Sequence, residues 1–575
     1  MSIVRNKGAL PHALPSVSKS AFKSALPPAL RQAGVRAFVT IAGLATFWQL
    51  GMQDSHNFTK AAGFVLVANL GLGGLALLLP WRRLLAGAAL LLNGLVLATA
   101  AVEGFLFWLY GLNPKHIAVA DAILGSNPDE AREFVATYGI QMLLVAALPA
   151  GLVALMAWFE RRWTRAQGVP AAPSRRVRWV GLALAALFGA LHFNPTMAKE
   201  NPLVFWPRYV DDYFDQRAFM EQVRLKVERD LDKARQDQAS YAGPAEQTVV
   251  LVLGESVNRS NWSLYGYPRR TTPELERLRD TMRDQLLVFK NVNSADAATA
   301  QSLLKMLTPA TKDQPEAWHD QPNVLALART AGYRVFWVSN QERADGPIQI
   351  LAAHAHEQVF VNEGRGREAR SLDERMLPHI ERILARPEPR KLVVVHMQGA
   401  HLRYDLRYPQ AYDRFTRTED GVDAALRGAG RPFWIVKARD QYDNAMLYGD
   451  HVIASIIARA RRAASHPTSL LYVSDHGQEV GHNRDFAGHS ALDPSGYQVP
   501  LLVWTNRADK LARMDRTAVE ARSYRTDVLD HTLYGLLDIR ARGYRAEDDL
   551  LSGQFAQRES ASLAQPLVQA AVLHR

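Results

Sequence analysis

The chain has 575 residues, a formal net charge of +11 and no cysteine. This length leaves room for several domains, and the missing cysteine excludes disulfides and a cysteine nucleophile. Much of the positive charge lies beside apolar segments, which favours membrane topology over an anionic partner as its explanation.

Five apolar segments occupy the N-terminal third of the chain. Their lengths suit membrane-spanning helices of about 17–25 residues, although the first and the last are short. A buried core helix is the alternative for each short segment. We predict a five-helix transmembrane bundle over residues 37–193, formed by Ala37–Gly51, Ala62–Leu79, Leu84–Tyr110, Ile140–Phe159 and Trp179–Phe193.

Basic residues alternate with neutral or acidic loops between these segments. The N-terminal tail (residues 1–36), Arg82 and Arg83, and the loop 161–178 are basic, whereas the loops 53–61 and 111–139 are not. Counting positive charges places the N-terminus in the cytoplasm. An odd number of spans then places everything after Phe193 on the other side of the membrane.

Residues 194–246 begin with aromatic side chains and continue as charge-rich helical sequence. Aromatic residues favour the bilayer interface, so we expect this segment on the outer face of the membrane, followed by a linker. A solvated connecting helix is the alternative for its second half.

The remaining sequence alternates strand-like apolar runs with helical stretches. This alternation predicts an α/β/α domain over residues 247–553, followed by a peripheral tail, 554–575. The amphipathic run 369–386 is interpreted as a packing helix. The predicted strands are Thr248–Leu253, Leu286–Lys290, Arg334–Val338, Leu392–Val395, Ser469–Val473 and Val499–Trp504.

Chemically active side chains follow three of these runs. Glu255 follows the first, His401 lies shortly after the fourth, and Asp475 and His476 follow the fifth. Ligands and catalytic groups gather at the carboxyl ends of strands, and carboxylate and imidazole groups bind divalent metals such as zinc. The alternatives are a helix cap for Glu255 and a chance pair in a turn for Asp475 and His476.

A nucleophile is expected in the segment NSADAATAQSLLKML, where a polar loop runs into an apolar helix. Thr299 lies at the predicted helix start, where the helix dipole favours an alkoxide and a bound phosphate. The alternative is that Thr299 only caps the helix. Ser256 and Ser294 are rival hydroxyls.

Several longer motifs carry a family resemblance. They are GESVNRSNWSLYGYPRRTTPEL (254–275), the loop with Thr299, HMQGAHLRYDLRYP (396–409), YDNAMLYGD (442–450), SDHG with the later GH (474–489), and the loop AILGSNPDEAREF (122–134). Together they resemble the membrane-bound phosphoethanolamine transferases of the alkaline-phosphatase/sulfatase superfamily. The resemblance covers nearly the whole chain.

The resemblance implies roles for the candidate residues. Thr299 would be the nucleophile that becomes modified by phosphoethanolamine, and Glu255, Asp475 and His476 would bind zinc with Thr299 completing the shell. His401 and His489 would contact the substrate phosphate or a second zinc, and one would act as general acid or base. His482 has no motif partner and is expected at the surface.

The family's layout also implies location and substrates. The protein would lie in the bacterial inner membrane with its catalytic domain in the periplasm. It would take phosphoethanolamine from phosphatidylethanolamine and pass it to lipid A, the lipopolysaccharide core or another glycan. One or two zinc ions would be bound, and no nucleic acid is implied as a partner.

Alternative functions stay open from the sequence. A phosphoglycerol transferase or a metal-dependent phosphodiesterase could use the same site, and a non-enzymatic membrane scaffold would need no zinc. Sulfatase activity is not favoured, because no cysteine exists and no Ser-x-Pro-x-Arg stretch follows Glu255. Three departures from the family concern the disulfides that brace many members and that this chain lacks, the loop after Thr299, which lacks the usual cysteine and proline pattern, and the somewhat long spacing from Asp475 to His489.

Overall fold

The computed structural model describes residues 26–50, 55–110, 119, 128–166, 173–282, 284–343, 346–362, 370–511 and 514–556. These residues form two compact units that divide between Asp211 and Asp212. The first part of the predicted loop motif, residues 122–127, and most of the tail, residues 557–575, lie outside the described residues, whereas residues 128–134 of that motif are helical.

The N-terminal unit is helical over all five predicted apolar segments. Among the described residues, three helices contain stretches long and apolar enough to cross a membrane, Phe58–Leu78, Arg82–Leu109 and Tyr138–Trp163. The prediction of five spans is therefore supported for three helices only. The helices are α1 (Pro28–Leu50), α2 (Ser55–Leu78), α3 (Arg82–Tyr110), α4 (Pro128–Ala166) and α5 (Arg175–His192).

A buried polar cluster joins the first four helices. Arg36 of α1 forms an ion pair with Glu160 of α4, and its Nε donates to Oδ1 of Asn69 in α2 at 3.2 Å. The amides of Asn69 and Asn93 in α3 exchange two hydrogen bonds of 2.9 Å. Polar contacts of this kind hold helices together where the surroundings are apolar.

Two further helices follow the bundle. The short α6 spans Pro195–Ala198, and the long α7 spans Pro202–Gln236, so the aromatic and charge-rich segment is helical as predicted. The boundary between the two units falls within α7.

The C-terminal unit is built on a seven-stranded sheet with the order β3-β11-β8-β2-β7-β5-β6. Strand β11 runs antiparallel to both of its neighbours, and the strands from β8 to β6 are mutually parallel. All six strands predicted from the sequence are present, and the edge strand β6 was not predicted. The strands are β2 (Gln247–Gly254), β3 (Leu286–Phe289), β5 (Arg334–Ser339), β6 (Glu357–Phe360), β7 (Arg390–His396), β8 (Thr468–Ser474) and β11 (Leu501–Thr505).

Three short strand pairs complete the strand set. The pairs are β1 (Ser240–Tyr241) with β13 (Ile539–Arg540), β4 (Asn291–Asn293) with β12 (Ser523–Arg525), and β9 (Glu479–Val480) with β10 (Ala487–Gly488).

Helices cover both faces of the sheet. In β2, Val249 and Leu251 belong to the core on one face, and Val250 and Val252 belong to the core on the other. Because successive side chains of a strand point to opposite faces, a strand buried on both sides is a continuous apolar run. The helices are α8 (Pro273–Thr281), α9 (Thr299–Leu307), α10 (Val324–Thr330), α11 (Pro347–Ala353), α12 (Leu377–Leu384), α13 (Gly421–Gly428), α14 (Phe433–Ala463), α15 (Ala508–Leu511), α16 (Arg516–Glu520) and α17 (Leu529–Leu536).

Candidate metal centre

The register of two neighbouring strands brings the candidate ligands together. Strands β2 and β8 are parallel neighbours, and Gly254 is paired with Ser474 at their carboxyl ends. The next residues along each strand are Glu255 and Asp475. Two sequence segments separated by more than 200 residues therefore deliver their carboxylates to one edge of the sheet.

Three buried side chains form a compact donor set. The Nε2 atom of His476 lies 3.5 Å from Oε1 of Glu255 and 3.5 Å from Oδ2 of Asp475. One ligand atom from each of the three residues lies within 4.8 Å of the other two. All three residues are buried. One imidazole nitrogen and two carboxylates are donors that a divalent cation such as Zn²⁺ accepts.

Ser256 fixes both carboxylates. Its backbone N–H donates to Oδ1 of Asp475 at 2.9 Å, and its hydroxyl donates to Oε1 of Glu255 at 2.6 Å. The residue has a φ of +62°, a left-handed conformation that is rare for a residue with a side chain. This turn directs the N–H and the hydroxyl of one residue at the two ligands.

The second carboxylate oxygen of Asp475 is suited to bind a cation. Oδ1 accepts from the backbone of Ser256 and of His476, whereas the buried Oδ2 accepts no hydrogen bond from the residues that the structure describes. A buried carboxylate oxygen without a donor is costly unless a cation binds it. The donor set therefore fits a divalent metal.

The pKa values of the two carboxyl groups also indicate a binding site for a cation. Burial raises the pKa of Asp475 well above its usual range, and the negative charge of Glu255 raises it further. Burial also raises the pKa of Glu255, but the charges of His476 and His401 outweigh burial and lower it to about 2. Two adjacent buried carboxylates ionise together only when a positive charge lies between them.

Thr299 lies against this donor set as the first residue of α9. Its Oγ1 is 3.1 Å from Oε2 of Glu255 and 3.3 Å from Nε2 of His476. The N-cap position of α9 is occupied by Ala298, and no side chain caps the helix. The alternative that Thr299 serves as the cap is therefore wrong. The half-buried hydroxyl is directed at the ligands instead.

The two rival hydroxyls are fully buried. Ser256 is engaged with Glu255, and the hydroxyl of Ser294 donates to the carbonyl oxygen of Asp475 and lies 3.2 Å from that of Ser302. Among the three candidates, Thr299 alone is partly exposed.

Both candidate histidines lie near the donor set. The ring centroid of His489 is 5.4 Å from that of His476, and burial, together with the positive charge of His476, lowers its pKa. His401 follows β7, its backbone N–H donates to the carbonyl of Gln398 at 3.2 Å, and its charge acts on Glu255. The structure thus brings all six predicted site residues into one region.

Comparison with known proteins decides the family. The sulfatase family model matches residues 247–539. Phosphoethanolamine transferase EptC of Escherichia coli (strain K12) is 29% identical over 491 residues, covering 81% of this chain and 82% of that protein. The crystal structure of the C-terminal periplasmic domain of EptC from Escherichia coli in complex with Zn is 32% identical, with a TM-score of 0.52, over 56% of this chain and 90% of that domain. The chain belongs to the sulfatase family, and within it to the phosphoethanolamine transferases.

This membership confirms the resemblance inferred from the motifs and the sulfatase-like fold of the C-terminal domain. A further relative is phosphoethanolamine transferase CptA of Salmonella typhimurium (strain LT2), 28% identical over 81% of this chain and 84% of that protein. The similarity to these transferases therefore includes much of the helical N-terminal unit.

One supporting residue of this transferase was missed in the sequence. Asp373 is buried, and its carboxylate accepts from the backbone N–H of Gln398 at 2.8 Å, from that of Gly399 at 3.0 Å and from the Asn340 amide at 2.8 Å. It lies in the run 369–386, which was interpreted only as a packing helix. That helix, α12, begins later, at Leu377.

Asp373 thereby holds the loop that supports Glu255. The backbone N–H of Ala400 donates to the carbonyl of Glu255 at 2.9 Å. Gly399 has a φ of +51°, and a Cβ atom there would lie 2.5 Å from the carbonyl oxygen of Glu255. Only glycine fits this close approach without displacing the ligand.

The expectation that His482 is a surface residue is wrong. Its side chain is largely buried, Nε2 lies 2.8 Å from Oδ1 of Asn261, and Nδ1 lies 3.3 Å from the backbone nitrogen of Val480. The sequence shows no motif partner for His482, but in the folded chain its ring contacts Asn261, which is distant in the sequence.

Proposed function

We propose that this chain transfers phosphoethanolamine from phosphatidylethanolamine to an acceptor of the cell envelope, through a covalent intermediate on Thr299. The acceptor is lipid A, the lipopolysaccharide core or another surface glycan. The observation that carries the proposal is the position of the Thr299 hydroxyl, on a partly exposed residue and within 3.3 Å of Glu255 and His476. The names of the relatives support the transferred group.

The metal in this proposal is zinc, one ion or two, with Glu255, Asp475 and His476 as ligands and Thr299 beside them. When bound there, zinc lowers the pKa of a neighbouring hydroxyl and stabilises the negative charge on phosphoryl oxygens. The Zn complex of the EptC domain supports this choice of metal.

The first half of the reaction loads Thr299. Its Oγ1 attacks the phosphorus of phosphatidylethanolamine, its proton passes to His401 or His489, and the bond from phosphorus to the diacylglycerol oxygen breaks. The histidine returns that proton to the leaving oxygen, so that diacylglycerol departs as the neutral alcohol. The first turn of α9 presents free N–H groups to the phosphoryl oxygens, because nothing caps that helix with a side chain.

The second half of the reaction regenerates the free hydroxyl of Thr299. An acceptor hydroxyl or protonated phosphate attacks the phosphorus and passes its proton to one of the two histidines, the bond from phosphorus to Thr299 Oγ1 breaks, and that histidine returns the proton to Thr299. Phosphoethanolamine is then attached to the acceptor.

The helical N-terminal unit places this chemistry at a membrane in the proposal. Its apolar helices would keep the catalytic unit close to a lipid donor, so that encounter takes place along a surface. The proposed topology has the N-terminus in the cytoplasm and the catalytic unit in the periplasm of a bacterial inner membrane.

The test is a donor comparison with the full chain in mixed micelles, with zinc and purified lipopolysaccharide. We expect diacylglycerol from phosphatidylethanolamine and labelled headgroup on the acceptor, with Thr299→Ala as the control that yields neither. Product from phosphatidylglycerol alone identifies a phosphoglycerol transferase instead. Headgroup released to water without transfer identifies a phosphodiesterase, and no product from either lipid contradicts the proposal.

A further inference from the structure

Large apolar side chains are exposed at few places in the catalytic unit. In the described part of residues 212–556 there are eight, and three of them, Phe214, Met220 and Leu225, lie on α7. The other five are between 42% and 82% exposed. We call these five the apolar rim: Leu402, Phe433, Trp434, Phe486 and Leu492.

The rim flanks the two histidines of the candidate site. Leu402 directly follows His401. Phe486 lies in the turn between β9 and β10, just before His489, and Leu492 lies three residues after it. Exposed apolar side chains therefore border the site on the segments that carry its histidines.

Phe433 and Trp434 belong to the same surface through α14. They begin that helix, and the preceding Arg431 forms an ion pair of 3.2 Å with Asp485 in the β9–β10 turn. Arg431 also donates to the carbonyl oxygen of His482 in that turn at 3.4 Å. The two contacts of Arg431 thus hold the start of α14 against the β9–β10 turn, which leads to His489.

The composition of the rim matches a lipid interface. Trp and Phe side chains favour the region where headgroups meet acyl chains, and exposed apolar patches mark interaction surfaces. Lys437 is exposed one turn after Phe433, and the side chain of Arg484, paired with Asp493, is half exposed. Cations beside apolar side chains suit phospholipid headgroups.

The N-terminal helices of the chain indicate which lipid surface lies near the rim. Three of its helices are long and apolar enough to cross a membrane, and with the proposed topology they would tether the catalytic unit beside a bilayer. We propose that the apolar rim docks on the phospholipid surface of that membrane, with Phe433 and Trp434 among the acyl chains. The docked rim brings His401, His489 and the partly exposed Thr299 to the level of the headgroups.

This inference rests on the proposed function for the use of a lipid donor and for the placement of the catalytic unit beside a membrane. Docking itself needs no turnover, so it can be measured in a chain whose catalysis fails. The natural sequence has no cysteine, so a single introduced cysteine can be labelled at one position.

The experiment labels Trp434→Cys and Phe486→Cys, separately, in the full chain with an environment-sensitive fluorophore. Each is reconstituted in nanodiscs of phosphatidylethanolamine and phosphatidylglycerol that contain lipids with a nitroxide on the upper acyl chain. The matched control is Ser465→Cys, an exposed position just before β8 and so at the opposite edge of the sheet from the site. Zinc content verifies that each variant is folded.

We expect both rim positions to be quenched several-fold more strongly than Ser465→Cys. Adding Phe433→Ser to the Phe486→Cys variant is expected to reduce that quenching. Quenching at the rim equal to the control overturns the proposal. Protection of the rim from labelling without quenching also overturns it, because protein and not lipid then covers these side chains.

Discussion

The Nδ1 atom of His476 lies 2.8 Å from the carbonyl oxygen of Gly477. A carbonyl only accepts, so Nδ1 carries a hydrogen, and in the neutral imidazole that binds a metal the lone pair of Nε2 faces Glu255 and Asp475. A backbone partner of this kind commonly orients a metal-binding histidine and fixes its tautomer. The carbonyl of Gly477 therefore orients the His476 ring so that Nε2 is directed at the metal site.

The first prediction concerns metal content. We expect zinc to copurify with the full chain and to be lost in His476→Gln and Asp475→Asn, because each change removes one of three ligands. The matched control is His482→Gln, which alters a largely buried histidine outside the donor set and should retain zinc. Elemental analysis measures the ratio, and equal zinc in all four proteins would contradict the ligand assignment.

A second prediction separates the three hydroxyls. Thr299→Ala should lower kcat by about a thousandfold or more, because the nucleophile is lost, while Thr299→Ser keeps a measurable rate. Ser294→Ala should cost about 1–2 kcal/mol of unfolding free energy through its lost buried hydrogen bond and leave transfer active. Steady-state rates and thermal unfolding distinguish these effects. An inactive but folded Ser294→Ala variant would argue for the rival hydroxyl.

The third prediction tests the loop under Glu255. Gly399→Ala places a Cβ atom 2.5 Å from the carbonyl oxygen of Glu255 at a positive φ, so we expect a loss of about 1–3 kcal/mol and weaker zinc binding. Gly449→Ala, within α14, meets no atom within 4 Å and should stabilise the chain by about 0.5–1 kcal/mol. Competition with a chelator measures zinc affinity. Unchanged affinity in Gly399→Ala would show that the loop does not position Glu255.

A fourth prediction concerns acid stability. Burial lowers the pKa of His396 from 6.5 to about 4, with the charge of Glu255 opposing this in part. Between these pH values the unfolded chain binds a proton that the folded chain does not, so stability falls as the pH falls from 6.5 to 4. The full effect is about 3 kcal/mol.

The matched variant is His396→Gln, which cannot titrate. Its unfolding temperature should fall less steeply with acidification than that of the wild type, when both are freed of metal. Parallel curves for the two proteins would show that His396 does not carry this pH dependence.

The sequence was most informative where local pattern and topology coincide. Apolar runs ending in Glu255 and in Asp475-His476 predicted two buried strands, and parallel pairing of β2 and β8 places those ends side by side. The change from polar loop to apolar helix made Thr299 one of three candidate hydroxyls, beside Ser256 and Ser294, and α9 begins at Thr299. Periodicity and strand ends thus suffice for the core of the candidate site.

Residues whose role depends on distant contacts escaped prediction. Asp373 supports Gln398 and Gly399, 25 and 26 residues later, and its own sequence shows only an amphipathic pattern. His482 has its ring partner in Asn261, 221 residues away. Such contacts arise from the packing of whole elements, which local pattern does not encode.

The apolar helices show a second property that the local sequence pattern did not determine, namely which helices span the membrane. Helices form over all five predicted segments, but within the part of the chain that the structure describes, length and composition support only α2, α3 and α4 as spans. Helix α5 has 18 residues and three arginines at its start, so its apolar part is short. The sequence therefore predicted where helices form more reliably than which of them span the membrane.

The most direct test of the central claim is the intact mass of the detergent-purified chain after incubation with phosphatidylethanolamine and zinc, without acceptor. We expect the wild type to gain the mass of one phosphoethanolamine unit, mapped to the peptide that contains Thr299, and Thr299→Ala to gain nothing. Addition of acceptor should remove the adduct. A wild type that transfers the headgroup without ever carrying it, or an adduct that persists in Thr299→Ala, would contradict the account.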